Sequence, residues 1–162
     1  MERVTHPIPP VYNMDSKVLV LGSFPSVKSR EAQFFYQHPQ NRFWRVISTV
    51  FDEPVPVTQE EKRELLFRNG IALWDVIQSC DIIGSADSSI KNVIPNDLST
   101  ILKVVKLNKI ISNGNTSHRL YMKHIFPITG IEALRLPSTS PANASCSMDC
   151  LIKEWSILRT FT

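Results

Sequence analysis

The chain reads as an α/β protein: a parallel sheet with helices on both faces. Two observations predict this. Short runs of branched apolar residues, suited to strands buried on both sides, alternate with segments whose apolar residues recur at helical spacing. Each run also ends in a turn former or a small polar group. The segments Gly22 to Ser26, Trp74-Asp75, Asn113-Gly114 and Pro137 to Asn143 would then gather beyond the carboxyl ends of the strands, where open α/β sheets bind ligands.

Taken in order, residues 1–16 carry Pro7, Pro9 and Pro10 and predict an extended arm, since proline excludes a helix and weakens a strand. Lys17 to Leu21 is the first strand. Gly22 frees the backbone to turn, and Pro25 forbids continuation of a ladder. After an aromatic segment, Phe43, Val46, Ile47 and Val50 form one helical stripe, closed by Pro54 and Pro56. Thr58-Gln59-Glu60-Glu61 is a capping box and Asn69-Gly70 a helix stop. Ile71 to Ile77 predicts a strand, and Cys80 to Asn92, rich in Ser, Asp and Gly, a loop. Leu98, Ile101, Leu102 and Val105 keep helical spacing after Asn96-Asp97. Lys109 to Ser112 is a buried strand, Thr116 to Ile125 a helix and Glu132 to Leu136 a strand. Met148, Leu151, Ile152 and Trp155 give a closing helix.

The 162 residues predict one domain, 1–162, with residues 1–16 as its arm. With 43% hydrophobic and 20% charged residues the composition is that of an ordinary globular protein. No apolar stretch approaches the ~18 residues of a membrane span, and the N-terminal residues lack the apolar segment of a secretion signal. The expectation is no membrane contact and a cytoplasmic, nucleoid-associated location, or a nuclear one if the source has a nucleus. A net charge of +3 permits phosphate contact without demanding it. Cys80, Cys146 and Cys150 form no CxxC pair, and no His or further Cys stands at ligand spacing, so no metal site is expected.

The stretches GSFPS, FFYQHPQNRFW, GIALWDVI with GSADSSI, SNG and LPSTSPANA together resemble the uracil-DNA glycosylase superfamily. They are most similar to its hypoxanthine-DNA glycosylase branch, family 6. HPQNRFW is also similar to the mismatch-specific uracil and thymine glycosylases. The resemblance spans about Val18 to Ala144 and implies a three-layer α/β/α sandwich around a four-stranded parallel sheet. It further implies a monofunctional enzyme without metal or organic cofactor, acting as a monomer on double-stranded DNA containing deaminated bases. Such an enzyme flips the base out, as glycosylases do, and leaves an abasic site.

Residue by residue, the resemblance assigns catalysis to Asn41, whose carbonyl can orient water while its NH2 donates to the base. From the residues alone, Asn41 reads first as a helix N-cap, and the resemblance is what turns that reading toward catalysis. Phe34 matches the aromatic on which the base stacks, with Tyr36 as the second candidate. Ser23, Phe24, His38 and Asn113 complete the expected base pocket. Ser26, Ser138, Thr139, Ser140, Pro141, Ala142 and Asn143 match the segments that hold phosphates and push a shallow wedge into the duplex. ST-turns are the competing reading of those serines and that threonine. The mismatch branch carries a water-holding Asn where this chain has Phe24, and the usual lysine after the SNG stretch is replaced by Asn115. Asp75 is read as a backbone-bonding turn residue or a water-activating carboxylate. No lysine falls in a pocket motif, which argues against Schiff-base chemistry. Two other readings remain: a uracil or mismatched-thymine glycosylase, and a silent lesion-binding protein of the same fold. A Rossmann-type nucleotide enzyme is disfavoured, because no GxGxxG or P-loop follows the first strand.

Overall fold

The computed structural model describes residues 1–162. In chain order the strands are β1 (Glu2–Thr5), β2 (Val18–Gly22), β3 (Ile71–Asp75), β4 (Ile77–Ile82), β5 (Lys91–Pro95), β6 (Lys109–Asn113) and β7 (Ala133–Leu136). The helices are α1 (Val27–Ala32), α2 (Phe43–Val50), α3 (Gln59–Arg68), α4 (Ser99–Leu102), α5 (Asn115–His124), α6 (Phe126–Thr129), α7 (Met148–Trp155) and α8 (Leu158–Phe161). The main sheet runs β3-β2-β6-β7 and every pair in it is parallel.

Alternation along β2 divides the interior in two. Val18 and Val20 join Phe43, Ile47, Leu65, Leu66, Leu151 and Trp155 on one face. Leu19 and Leu21 join Ile101, Ile110, Leu120 and Tyr121 on the other. Each such buried Val or Leu contributes about 1.5–3 kcal/mol, so a one-residue slip of β2 would forfeit both cores at once. This is the three-layer α/β/α arrangement around a four-stranded parallel sheet. The capping box of α3 forms, with the Thr58 hydroxyl accepting from the Glu61 N–H. No helix is long and apolar enough to cross a membrane.

Three expectations are corrected. The arm is not merely extended: Glu2–Thr5 pairs antiparallel with β4 in a second sheet, ordered β1-β4-β5. The stretch expected as one strand from Ile71 to Ile77 is two strands in different sheets. Val76 is the pivot, its N–H donating to the Gly22 carbonyl at 2.8 Å, and the Asn96 side chain donates to the carbonyls of Asp75 and Ile77 on either side of it. The loop expected over 80–92 begins and ends in strand, because β4 continues to Ile82 and β5 starts at Lys91.

Candidate active site

β2, β3, β6 and β7 deliver Gly22, Asp75, Asn113 and the segment after Leu136 to one end of the sheet, and the loop between α1 and α2 folds over it. Gln33 ends α1 in the left-handed conformation, which turns Phe34 and Phe35 inward. Tyr36 is left-handed as well, with φ of +56°. A non-glycine residue held there costs on the order of 1 kcal/mol or more, and such strain concentrates at functional sites. Its ring stacks on Phe43 at a centroid distance of 4.2 Å and remains half-exposed.

A relay of neutral groups joins this loop to the sheet. The Asn113 Nδ2 donates to the Tyr36 hydroxyl at 3.2 Å and to Thr139 Oγ1 at 3.1 Å. The Thr139 N–H donates back to Asn113 Oδ1 at 3.1 Å, and the Thr139 hydroxyl donates to Asn41 Oδ1 at 2.9 Å. Asn41 Oδ1 also accepts the Phe43 N–H at 2.9 Å. That backbone donor fixes which end of the amide is oxygen. Both carbonyl lone pairs are therefore committed, and Asn41 cannot orient water through its carbonyl as the sequence suggested. Its NH2 is the free end. It has no protein acceptor, and because no fully buried side-chain nitrogen or oxygen goes without a partner, it keeps access to solvent. Asn41, one residue before the Arg42 N-cap of α2, thus accepts the first N–H of the helix and keeps its own NH2 unpaired.

Carboxylates line the opposite side. Asp75, at the end of β3, takes a 2.7 Å hydrogen bond from His6 Nε2 on Oδ2. The Ser23 hydroxyl donates to both Asp87 oxygens, at 3.0 and 3.1 Å. Asp87 is exposed as a residue, yet its carboxyl turns back toward buried Ser23. Desolvation there raises its pKa above the ordinary carboxylate value, with the charge of Asp75 adding to the rise. Burial and Asp75 also push the Tyr36 hydroxyl up, so it stays protonated.

The remaining expected residues divide. Phe34 is not at the cleft: it is 0% exposed, stacked with Trp44 and covered by the Arg63 guanidinium, so it has no face to offer a base. Phe24 is buried beside His6 and Arg30 and forms wall rather than platform. His38 Nδ1 accepts the Gln40 N–H in a local turn. Ser26 caps α1 by accepting from the Ser29 N–H and donating to the Ser29 hydroxyl, so that hydroxyl is spent. Thr139 is 0% exposed and belongs to the relay, not to a phosphate contact.

Ser138 and Ser140 form the ST-turns, accepting the Ser140 and Ala142 N–H groups and keeping their own protons. Pro141 and Ala142 stand exposed at the tip. The Asn143 side chain donates to the Ser138 carbonyl, and Arg42 clamps the segment by donating to the carbonyls of Ser140, Asn143 and Cys146. Beside the cleft, Asn115, Thr116, His118, Arg119 and Arg135 line a polar hollow of about 450 Å³. There Arg135 donates to Asn115 Oδ1 at 2.7 Å, bringing a cation to the position that lacks the usual lysine. His6, Asp87 and Arg42 are the site residues that sequence reasoning missed. Asp87 lies in the GSADSSI motif and Arg42 in the NRFW motif, whereas His6 lies in no recognised motif.

Amides and hydroxyls thus gather at the carboxyl end of this sheet, where the resemblance drawn from the sequence expects a base pocket. A family model described as "Uracil DNA glycosylase superfamily" matches residues 9–159. The hypoxanthine DNA glycosylase of Methanosarcina acetivorans is 35% identical over 137 residues, covering 83% of this chain and 85% of its own. Its counterpart in Methanosarcina barkeri is 32% identical over the same shares. The solution NMR structure of a candidate uracil DNA glycosylase from M. acetivorans superposes with a TM-score of 0.82 at 32% identity, covering 97% of this chain and 98% of that one. The chain belongs to the uracil DNA glycosylase superfamily, and it is a DNA glycosylase.

Proposed function

We propose that the protein is a monofunctional glycosylase that removes hypoxanthine from double-stranded DNA, acting as a monomer. The observation that carries the reading is Asn41: its carbonyl is locked by Phe43 and Thr139 while its NH2 is unpaired and keeps access to solvent. Breaking the N-glycosidic bond leaves a sugar cation and places negative charge on the departing ring. A fixed N–H donor aimed at that ring stabilises the transition state more than the ground state, and the cation requires only water to complete the reaction. Tyr36, not Phe34, provides the stacking surface. Ser138 and Ser140 donate to backbone phosphates, Arg119 and Arg135 lend positive charge beside them, and Pro141-Ala142 fills the vacated gap. None of the cleft residues is a lysine, which supports hydrolysis without a Schiff base.

The test is release of free base from duplexes carrying deoxyinosine, deoxyuridine or a G·T mismatch. Hypoxanthine is expected first, with strand breaks only after added alkali. Asn41→Ala is expected to lower the single-turnover rate about 100-fold or more while costing only ~1 kcal/mol of stability as a lost cap. Full turnover by Asn41→Ala overturns the assignment, and nicking without alkali overturns the monofunctional reading.

A further inference from the structure

The least expected feature of the site is a buried His–Asp pair built partly from residues that the family model does not reach, since the match begins at residue 9. The His6 and Asp75 side chains are 2% and 5% exposed. The ring of His6 lies among Phe24, Phe35 and Trp74, held there by the antiparallel pairing of β1 with β4 and by the His6 N–H donating to the Gln78 carbonyl at 2.6 Å. Its Nδ1 accepts the Ile8 N–H at 3.2 Å. A nitrogen that accepts carries no proton, so the proton sits on Nε2 and is given to Asp75 Oδ2. The tautomer is fixed by the backbone.

Asp75 Oδ1 is different. No group of the protein donates to it, and since no fully buried side-chain oxygen lacks a partner, this atom keeps a sliver of solvent access. Gly22 makes room for it: a Cβ at that position would stand 2.4 Å from Oδ1 and 3.2 Å from the Tyr36 hydroxyl. A buried histidine, a buried aspartate and a glycine thus hold one unpartnered acceptor beside the expected stacking surface.

Resting on the glycosylase reading above, we propose that Asp75 Oδ1 reads the ring N–H that deamination creates, and that His6 is the positioning residue that aims it. Deamination of adenine converts N1 from a bare acceptor into an N1–H donor, as deamination of cytosine does to N3. A fixed carboxylate oxygen accepts from the deaminated ring and meets a lone pair on the undamaged one. A site built to pair with a substrate N–H rejects the analogue lacking it, because its own group is then left unpaired.

The aim of His6 gives the proposal a signature. In Asp75→Asn the His6 Nε2–H still needs an acceptor, so the amide oxygen turns to His6 and the NH2 enters the cleft. The reader then presents a donor and suits a bare N1. Removing His6 as well frees that amide to turn over.

The experiment is single-turnover excision from duplexes containing deoxyinosine or deoxynebularine, a purine whose N1 bears no hydrogen. It uses the full-length wild type, Asp75→Asn, His6→Ala and the double variant, with melting curves as the check on folding. For Asp75→Asn the hypoxanthine-to-purine rate ratio is expected to fall about 10- to 100-fold. His6→Ala added to it is expected to restore hypoxanthine excision about 10-fold, a rescue that a purely structural histidine would not give. An Asp75→Asn variant that slows both substrates equally makes Asp75 a general base or a structural group and overturns the proposal. So does a double variant no faster on deoxyinosine than Asp75→Asn. If either variant fails to fold, the wild type decides: equal rates on the two duplexes overturn the proposal, and a preference for deoxyinosine supports it. A wild type that releases hypoxanthine from no duplex defeats the underlying reading instead, a result distinct from these.

Discussion

The two sides of the cleft solve opposite electrostatic problems. On the side of Tyr36, Asn41, Asn113 and Thr139 the groups are neutral and each constrains the next. Thr139 both accepts and donates, and the donors left over are the Asn41 NH2 and the Tyr36 hydroxyl proton, whose oxygen accepts from Asn113. On the side of His6, Asp75, Ser23 and Asp87 the groups are acids held by single donors, and the unspent capacity is an acceptor, Asp75 Oδ1. Neutral amides are inexpensive to bury once paired, whereas a buried carboxylate needs a partner of fixed geometry. The donor side is assembled from the α1–α2 loop and the segment after β7 onto the end of β6, while Asp75 on the acceptor side is anchored at the end of β3 and held by a histidine clamped by a second sheet. A base entering between them meets free donors on one side and a free acceptor on the other.

Gly22 is where the two sides come closest, so it offers the most damaging test. Gly22→Ala places a methyl against Asp75 Oδ1 and the Tyr36 hydroxyl. Displacing both is expected to lower single-turnover excision by about 100-fold or more, with about 1–3 kcal/mol lost to overpacking. Near-normal activity in that variant would show that the acceptor side does not touch the substrate.

Tyr36 separates stacking from hydrogen bonding. Loss of a base–aromatic stack is worth about 1–3 kcal/mol, so Tyr36→Ala should slow excision roughly 10- to 100-fold. Tyr36→Phe keeps the ring and deletes only the acceptor of Asn113, for a smaller loss of a few-fold. If Phe is as poor as Ala, the hydroxyl and not the ring face is what the site uses, and Tyr36 passes to the polar machinery.

Thr139→Val tests whether the neutral side acts as one unit. The swap keeps the shape and removes one hydrogen bond to each of Asn41 and Asn113, leaving the Phe43 N–H on Asn41, and the Tyr36 hydroxyl and the backbone N–H of residue 139 on Asn113. An expected ~1–2 kcal/mol of stability should go with a roughly 10-fold rate loss, since Asn41 is then aimed by a single contact. Unchanged activity would mean that the Phe43 N–H alone positions the amide.

How much of this the sequence disclosed follows the same division. The parallel sheet was readable because VLVLG is a continuous apolar run, because KIISN sets two isoleucines ahead of an Asn-Gly stop, and because capping boxes and stops are local chemistry. The donor side was half readable: Asn41 and the segment Pro137 to Asn143 lie in recognisable motifs. The choice of Phe34 over Tyr36 failed because α1, ending at left-handed Gln33, turns Phe34 into the interior, and spacing across a non-helical loop says nothing about facing. The acceptor side was nearly silent. β1 is four residues with no buried position, β5 is largely exposed and ends in Pro95, and His6 lies 69 residues from its partner. A pair of that separation leaves no periodicity to read.

The smallest expected effect belongs to Asp87, and its sign is set by its environment. Its pKa is raised by burial of the carboxyl and by Asp75, against the Ser23 hydrogen bond and Arg119. A carboxyl that holds its proton more tightly when folded favours the folded state below the ordinary carboxylate pKa of about 4. That advantage is lost as pH rises through the folded value. Asp87→Asn keeps an oxygen for Ser23 and carries no charge at any pH in this range. Its melting temperature should therefore gain on the wild type as pH climbs from about 4 to 7, by about 1–2 °C at the upper end, a small gain because Asp87 keeps a solvent-facing side. Melting curves at the two pH values decide it. A gap that is constant or that narrows with rising pH would mean that Asp87 is not held at a cost.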